Sequence, residues 1–325
     1  MKCYICLTAP DDSHNVYIDM LNATLKSARN NTSLDLYALY DGPIEHKAYK
    51  LLEFYNVNII KHSFSHKEYL EKVYPKEFLL ESYGKIDSYN KIAGTFMRMD
   101  IPFFEKTDDF VLYVDIDVIF IKDIKFDNIL LPEYLAACPE YSKNIKDMDY
   151  FNAGVLLFNV KGMREKCQQI FEMLKRGERN KINLFDQGYL NQVCFSNMEL
   201  LPLEYNWKPY WGINENAKII HFHGIKPGGT LENSGFCTKN DFLYKPLIGH
   251  EEDLRGYIYY NMLFFQTINK DGKLWLSEFV GQTVNALYNN TETIGSYKKK
   301  KDKYKTICYI LAIGLIFSLL LNILI

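Results

Sequence analysis

Alternating strand and helix signals predict an α/β protein, with helices on both faces of the sheet, a C-terminal helical region and one C-terminal transmembrane helix. Three stretches carry that prediction. Over residues 2–60, three short apolar runs alternate with two segments of helical spacing. Such alternation packs as a β-α-β-α-β unit with parallel strands, because a helix crossing the sheet returns the chain in its original direction. The second stretch is Phe110 to Phe120, FVLYVDIDVIF, an apolar run interrupted only by Asp115 and Asp117. The third is the apolar block from Thr306 to Ile325, long enough to span about 30 Å of hydrocarbon.

Taken in order, Lys2 to Leu7 is a strand that stops at Thr8-Ala9-Pro10. Asp11, Asp12 and Ser13 offer N-cap oxygens to a helix from His14 to Ala28, whose Val16, Met20, Ala23 and Leu25 recur at helical spacing. Leu34 to Tyr40 is the next strand, ended by Asp41-Gly42-Pro43; a helix over Glu45 to Tyr55 and a strand Val57 to Ile60 follow. Ser63 to Lys85 has no clear period and reads as helical turns and loop. Ser88 to Phe104 is helical and brings Arg98 to the approach of the acidic strand. Glu133 to Cys138 and Tyr150 to Val160 are strands, Met163 to Lys175 is an amphipathic helix, and Leu184 to Val193 is a helix opening on Asp186-Gln187. Lys218 to His223 is a short strand running into Gly224-Ile225-Lys226-Pro227-Gly228-Gly229, whose glycines allow close approach of backbone to a ligand. Asp253 to Tyr288 is helical and aromatic, with Tyr257, Tyr259, Tyr260, Phe264, Phe265, Trp275 and Phe279, expected as core packing ahead of an acceptor or membrane-contact surface.

A chain of 325 residues with 48% hydrophobic content buries one large core plus an appendage. Its net charge of -2 offers no basic field, which argues against nucleic acid as a partner. The seven cysteines, Cys3, Cys6, Cys138, Cys167, Cys194, Cys237 and Cys308, are scattered in apolar surroundings and read as thiols of a reducing compartment. Cys3 and Cys6 have Cys-x-x-Cys spacing but sit within one strand with no second pair downstream, which disfavours a zinc or redox role. The N-terminal apolar run is too short for a signal peptide, so the sequons at Asn22, Asn30, Asn31 and Asn289 are expected to stay unmodified.

The acidic strand carries the chemistry. An unpaired carboxylate in a buried strand costs several kcal/mol or gives up its charge. Alternation places Asp115 and Asp117 on one side, at the strand end that opens on the ligand crevice of α/β folds. Two hard oxygen ligands there suit a divalent cation and, through it, a phosphate. Haloacid-dehalogenase-type phosphatases use such a strand for a nucleophile and a general acid beside Mg²⁺. Nucleotide-sugar glycosyltransferases use the same spacing to hold Mn²⁺ or Mg²⁺ against a diphosphate. A solvated strand-to-loop turn is the alternative without chemistry.

An ordered set of stretches over Lys2 to Gly229 resembles glycosyltransferase family 8, the group containing glycogenin and the bacterial lipopolysaccharide galactosyltransferases. Ala9-Pro10-Asp11-Asp12-Ser13-His14-Asn15-Val16-Tyr17 is similar to the family's uridine loop, which binds through backbone, an acid and an aromatic ring. His14 stands where the family usually has a stacking Tyr, with Tyr17 as the alternative platform. Gly94-Thr95-Phe96-Met97-Arg98 resembles the Thr-x-x-Arg helix, whose arginine reaches the donor, and Asp115-Ile116-Asp117 the metal motif. Phe151-Asn152-Ala153-Gly154-Val155-Leu156-Leu157-Phe158-Asn159 resembles the strand lining the sugar pocket, and Asp186-Gln187 the pair beside the sugar. His221-Phe222-His223-Gly224-Ile225-Lys226-Pro227 resembles the closing loop, one residue shorter between Gly224 and Lys226 and with Gly228 in place of the usual Trp.

The resemblance implies a nucleotide-sugar-binding, Rossmann-like GT-A mixed sheet flanked by helices. It implies Asp115, Asp117 and His221 as ligands of Mn²⁺ or Mg²⁺, with His223 as a competing ligand, and Lys226 at the diphosphate of a UDP-hexose. Asn152 and Asp186 would meet sugar hydroxyls, and Gln187 would lie near the anomeric carbon. Family members retain anomeric configuration, and no base is assigned. The phosphatase alternative would need a later lysine and a paired acidic metal motif, for which Asp147-Met148-Asp149 is the only, weak candidate, and it would put the Asp-x-Asp strand unusually late in the chain.

The lysine-rich run from Tyr297 to Lys305 stays on the cytoplasmic side by positive-inside logic. The expected organisation is a nucleotide-sugar-binding and catalytic domain over 1–235, a helical extension over 236–296, a basic juxtamembrane segment over 297–305 and an anchor over 306–325. The expected function is transfer of a hexose from a UDP-sugar to a carbohydrate, glycolipid or protein acceptor at the cytoplasmic membrane face. A catalytically silent nucleotide-sugar-binding or scaffold protein is the alternative.

Overall fold

The computed structural model describes residues 1–9, 15–83, 89–127, 129–182, 184–224, 226–228, 251–279 and 281. Strands β1 (Lys2–Thr8), β2 (Asp35–Asp41) and β3 (Asn58–Lys61) alternate with helices α1 (Asn15–Asn31) and α2 (Lys47–Phe54). Short helices α3 (Leu70–Val73), α4 (Lys76–Tyr83), α5 (Tyr89–Phe96) and α6 (Ile101–Phe104) lead to β4 (Phe110–Val114) and β5 (Val118–Phe120). Then come β6 (Leu135–Pro139), β7 (Phe151–Asn159), α7 (Val160–Arg176), α8 (Phe185–Cys194), β8 (Glu199–Leu200), β9 (Ile219–His221) and α9 (Glu251–Thr267).

Seven strands form one sheet in the order β3-β2-β1-β4-β7-β6-β8. The opening unit is parallel, as its strand-helix alternation requires, and β4 joins it parallel to β1. The antiparallel β7 between β4 and β6 makes the sheet mixed. One face packs Tyr4, Val111, Tyr113, Leu156 and Phe158 against α5, α7 and α8; the other packs Ile5, Leu36, Leu112 and Val155 against α1 and α2. Each of the aliphatic and Phe side chains among them contributes roughly 1.5–3 kcal/mol when fully buried. Cys3 and Cys6 lie in β1 but pack into opposite layers, so their spacing builds no paired site.

The helical stretch expected over Asp253 to Tyr288 ends at Thr267 and resumes at 273 after a turn and loop over 268–272, and two other expected elements are broken where polar groups demand partners. Phe110 to Phe120 is two strands, not one. Asp115 N–H still bonds Gly154 O at 2.8 Å, extending the main sheet, whereas Asp117 O accepts from Phe222 N at 2.9 Å and belongs to the β5–β9 ribbon. The chain thus changes sheets across Asp115-Ile116-Asp117. The helix expected over Ser88 to Phe104 is α5, a 3₁₀ turn at Met97–Asp100, and α6. Buried Asp100 is held there by His62 Nε2 at 2.7 Å, Ser65 N at 2.9 Å and Ser65 Oγ at 2.6 Å, while Pro102 has no N–H to continue the α ladder.

Helix α9 buries the aromatics that the sequence concentrates there. Tyr257 joins Tyr210, Trp211, Trp275 and Phe279, while Tyr260 and Phe264 join Met20, Ile119 and Phe222; Tyr259 stays exposed. Among the described residues no helix is long and apolar enough to cross a membrane, and the anchor expected at 306–325 lies outside them.

Candidate active site

The break between β4 and β5 puts two carboxylates at the mouth of the sheet, and the β5–β9 ribbon brings His221 to them by pairing it with Val118. Ligand atoms of Asp115, Asp117 and His221 all lie within 4.8 Å of one another. Asp115 Oδ1 accepts from Arg98 at 3.0 Å and from the Tyr113 hydroxyl at 2.5 Å. Asp117 is buried, its Oδ2 bonded to the Lys226 ammonium and its Oδ1 3.5 Å from His221 Nε2. Burial alone would raise Asp117, but the Lys226 ammonium and the neighbouring imidazole of His221 outweigh it and hold the carboxyl well below the usual range. Burial likewise pulls Lys226 down, and Asp117 more than offsets it. The lysine side chain is 48% exposed, so solvent screens the pair and its contribution to stability is small. Two carboxylates and an imidazole form a donor set that fits Mn²⁺ or Mg²⁺, and the Lys226 ammonium on Asp117 shows that the same spot attracts positive charge.

Gly154 makes room for the histidine. A Cβ at that position would lie 2.1 Å from His221 Cε1, so the glycine in Asn152-Ala153-Gly154 is the surface on which the imidazole rests. Behind the ring runs a buried polar chain. His221 Nδ1 meets Asn206 Oδ1 at 2.9 Å, Asn206 Nδ2 donates to Asn152 Oδ1 at 2.9 Å, and Asn152 Nδ2 donates to Glu140 at 2.8 Å. His223 turns away from the acid pair, toward Glu140 and the Tyr210 hydroxyl, each at 2.9 Å.

Arg98 is the second organising group. Its guanidinium lies over the Tyr113 ring, 4.4 Å from the centroid, and bonds Asp115 and the carbonyls of Thr95 and Ala153. Nε is also 2.9 Å from Asp186 Oδ2, but its hydrogen points to Thr95 O, so that contact is electrostatic without being a hydrogen bond. Asp186 Oδ2 is accordingly a buried acceptor with no hydrogen-bond partner among the described residues. Burial raises the Asp186 carboxyl and Arg98 opposes the rise. Arg98 offsets part of the cost of burying that charge, and a ligand hydroxyl would supply the missing hydrogen bond. Gln187 is tied down through its Oε1, which accepts from Ala153 N at 2.8 Å.

Of the other expected site residues, Ala9 N–H bonds Asp41 O at 3.0 Å, and Tyr17 bonds Thr8 O at 3.3 Å, its phenol pushed up by burial. Gly224 has φ of 85°, which favours glycine. Asp11 and His14 lie outside the described residues. Asn152 is placed behind the metal ligands, both ends of its amide bonded inside the protein.

Sequence reasoning missed Glu140, Asn206, Tyr257 and Asn261. The last two fix the closing loop from α9: Tyr257 donates to Lys226 O at 3.1 Å, and Asn261 Oδ1 accepts from Gly228 N at 2.9 Å. Their signal was an asparagine four residues after a tyrosine on an otherwise apolar face; Asn206 stands between Tyr205 and Trp207, and Glu140, in Cys138-Pro139-Glu140-Tyr141-Ser142, carries no comparable signal.

Residues 12–228 match the family described as Glycosyl transferase family 8. A Haemophilus influenzae protein named as a glycosyltransferase is 24% identical over 168 residues, 47% of this chain and 50% of that protein. The chain thus spans about half the length of that curated relative. Among solved structures, galactosyltransferase LgtC in complex with donor and acceptor sugar analogues superposes with a TM-score of 0.51 at 17% identity, covering 86% of this chain and 100% of that one. That likeness is one of fold, the Rossmann-like mixed sheet of GT-A type. Mouse xyloside xylosyltransferase 1, apo form, aligns at 15% identity with a TM-score of 0.45 over 68% of this chain and 96% of that one.

Proposed function

The chain belongs to glycosyltransferase family 8, and from that premise we propose that it transfers a hexose from a UDP-sugar to a carbohydrate, glycolipid or protein acceptor, with retention of anomeric configuration. The observation that carries the reading is the convergence of Asp115, Asp117 and His221 within 4.8 Å, beside the unmatched acceptor of Asp186. These three residues would hold Mn²⁺ or Mg²⁺, which when bound supplies Lewis-acid stabilisation of charge growing on the leaving diphosphate. Lys226 adds a positive charge at the same place. Arg98 holds Asp115 and Asp186 in fixed relation, and Asp186 Oδ2 takes a sugar hydroxyl. Gln187, anchored at Ala153, is the group assigned to the reacting carbon.

The proposal extends to location. The lysine run over 297–305 and the apolar block over 306–325 support anchorage of the enzyme at the cytoplasmic face of a membrane. The test is a panel of UDP-sugars with Mn²⁺, read by mass spectrometry for donor hydrolysis or transfer. Activity should vanish in chelator, return with metal, and fall by orders of magnitude in Asp117→Asn. Full activity in chelator would overturn the reading, and UDP binding without turnover across the panel would favour a silent nucleotide-sugar-binding protein.

A further inference from the structure

Glu140, Asn152 and Asn206 are not ligands in the proposed site, yet the direction of each hydrogen bond among them is dictated. A carboxylate only accepts, so Glu140 Oε2 compels Asn152 to present its NH₂ end, at 2.8 Å. A backbone N–H only donates, and Gly154 N reaches the other end of the same amide, Asn152 Oδ1, at 3.0 Å. Two obligate groups thus fix Asn152 in one orientation. Its Oδ1, with a second lone pair left, can receive only a donor from Asn206, so Asn206 gives its Nδ2 there and turns its Oδ1 to His221 Nδ1. An imidazole nitrogen facing a carbonyl oxygen carries the hydrogen, and in a neutral ring the other nitrogen is then a bare lone pair.

We propose that Asn206, oriented through Asn152 by Glu140, is a positioning residue that holds His221 as the Nδ1–H tautomer and keeps Nε2 open toward Asp115 and Asp117. The relay works against a real competitor. Asp117 Oδ1 lies 3.5 Å from Nε2 and, in the absence of a metal, would draw the hydrogen to that nitrogen and block it as a ligand. The relay stands on buried residues: Asn206 and Asn152 are 0% and 3% exposed and Glu140 6%, so water cannot replace a missing partner cheaply. Gly154 contributes twice, through its N–H at Asn152 and through the space its missing Cβ leaves for the ring.

The inference rests on the metal reading for its purpose, but its geometry can be tested without metal. Long-range ¹H–¹⁵N correlation on histidine-labelled, metal-free full-length protein reports which nitrogen of His221 is protonated. The expected result is Nδ1–H in the wild type. In Asn206→Leu the hydrogen should move to Nε2, and Mn²⁺ affinity, read by titration of free Mn²⁺ by electron paramagnetic resonance, should fall by about 10- to 100-fold, the usual effect of losing an outer-shell partner. Asn206→Asp, which keeps an acceptor at Nδ1 but loses the donor to Asn152 Oδ1, should restore the Nδ1–H tautomer. Nε2–H in the wild type overturns the proposal outright, with no variant needed. A folded Asn206→Leu protein that keeps both the Nδ1–H tautomer and wild-type affinity also overturns it. Should the wild type show Nδ1–H, and Asn206→Leu the shift to Nε2, while neither binds Mn²⁺, the metal reading fails and the relay stands.

Discussion

Replacing Gly154 by alanine adds a single methyl group where the site has no room for it. The new Cβ would lie 2.1 Å from His221 Cε1, 2.8 Å from Nε2 and 2.9 Å from Nδ1. Carbon atoms rest at roughly 3.5–4.0 Å, so ring or strand must retreat by about 1.5 Å. β7 is a central strand bonded on both sides, by β4 and β6, so the ring is the softer partner. Ligand distances in metal sites tolerate only about ±0.2 Å, and the retreat therefore removes the imidazole from coordination. Since losses in the outer shell already weaken binding by about 10- to 100-fold, Mn²⁺ affinity should fall by about 100-fold or more. Overpacking should cost about 1–3 kcal/mol, partly offset by the 0.5–1 kcal/mol or so that alanine gains over glycine in a strand. The variant should thus remain folded, melting a few degrees lower. Thermal unfolding and Mn²⁺ titration on the same sample separate the two effects. A folded Gly154→Ala protein with wild-type Mn²⁺ affinity would refute the claim that His221 rests on this glycine as a ligand.

Three other outcomes are expected. Gln187→Ala should lower kcat more than it raises the donor KM, because a contact beside the reacting carbon acts mainly in the transition state; steady-state kinetics with equal loss in both would argue for a binding role. Burial works against the charge of Glu140, but His223, Lys208 and Asn152 outweigh it and hold the carboxyl at about 2 in the folded protein. Its folded value lies below its unfolded one, so its stabilisation is present above about pH 4.5 and is lost as pH falls toward 2. Urea unfolding of Glu140→Gln should accordingly show a deficit of about 1–3 kcal/mol at pH 7 that narrows at pH 3, and a constant deficit would contradict the assignment. Truncation after Asn290 keeps Tyr257 and Asn261 on the closing loop and should leave metal-dependent donor hydrolysis intact, while transfer to a vesicle-borne acceptor drops through loss of tethering. Equal loss on soluble and vesicle-borne acceptors would make the tail part of the fold.

The amino-acid order determined whatever is written in a short window. The opening unit showed itself through periods of 2 and 3.6 sustained over whole elements, and its parallel strands follow from that alternation. Asp115 and Asp117 stood out because carboxylates are costly within an apolar run, and His221 because glycines and a lysine follow it closely. The apolar block over 306–325 lies outside the described residues, and its reading as an anchor rests on length and composition alone, as a proposal. Tertiary structure decided the rest. The break within Phe110–Phe120 was hidden because strands of three residues, such as β5 and β9, are too short to show a period, and only their pairing reveals that Asp117 and His221 share a ribbon. The void left by Gly154, the bare Asp186 oxygen under Arg98, and the relay from Glu140 to His221 join residues far apart in the chain. Their hydrogen bonds depend on direction as well as distance, and direction exists only once the backbone is folded.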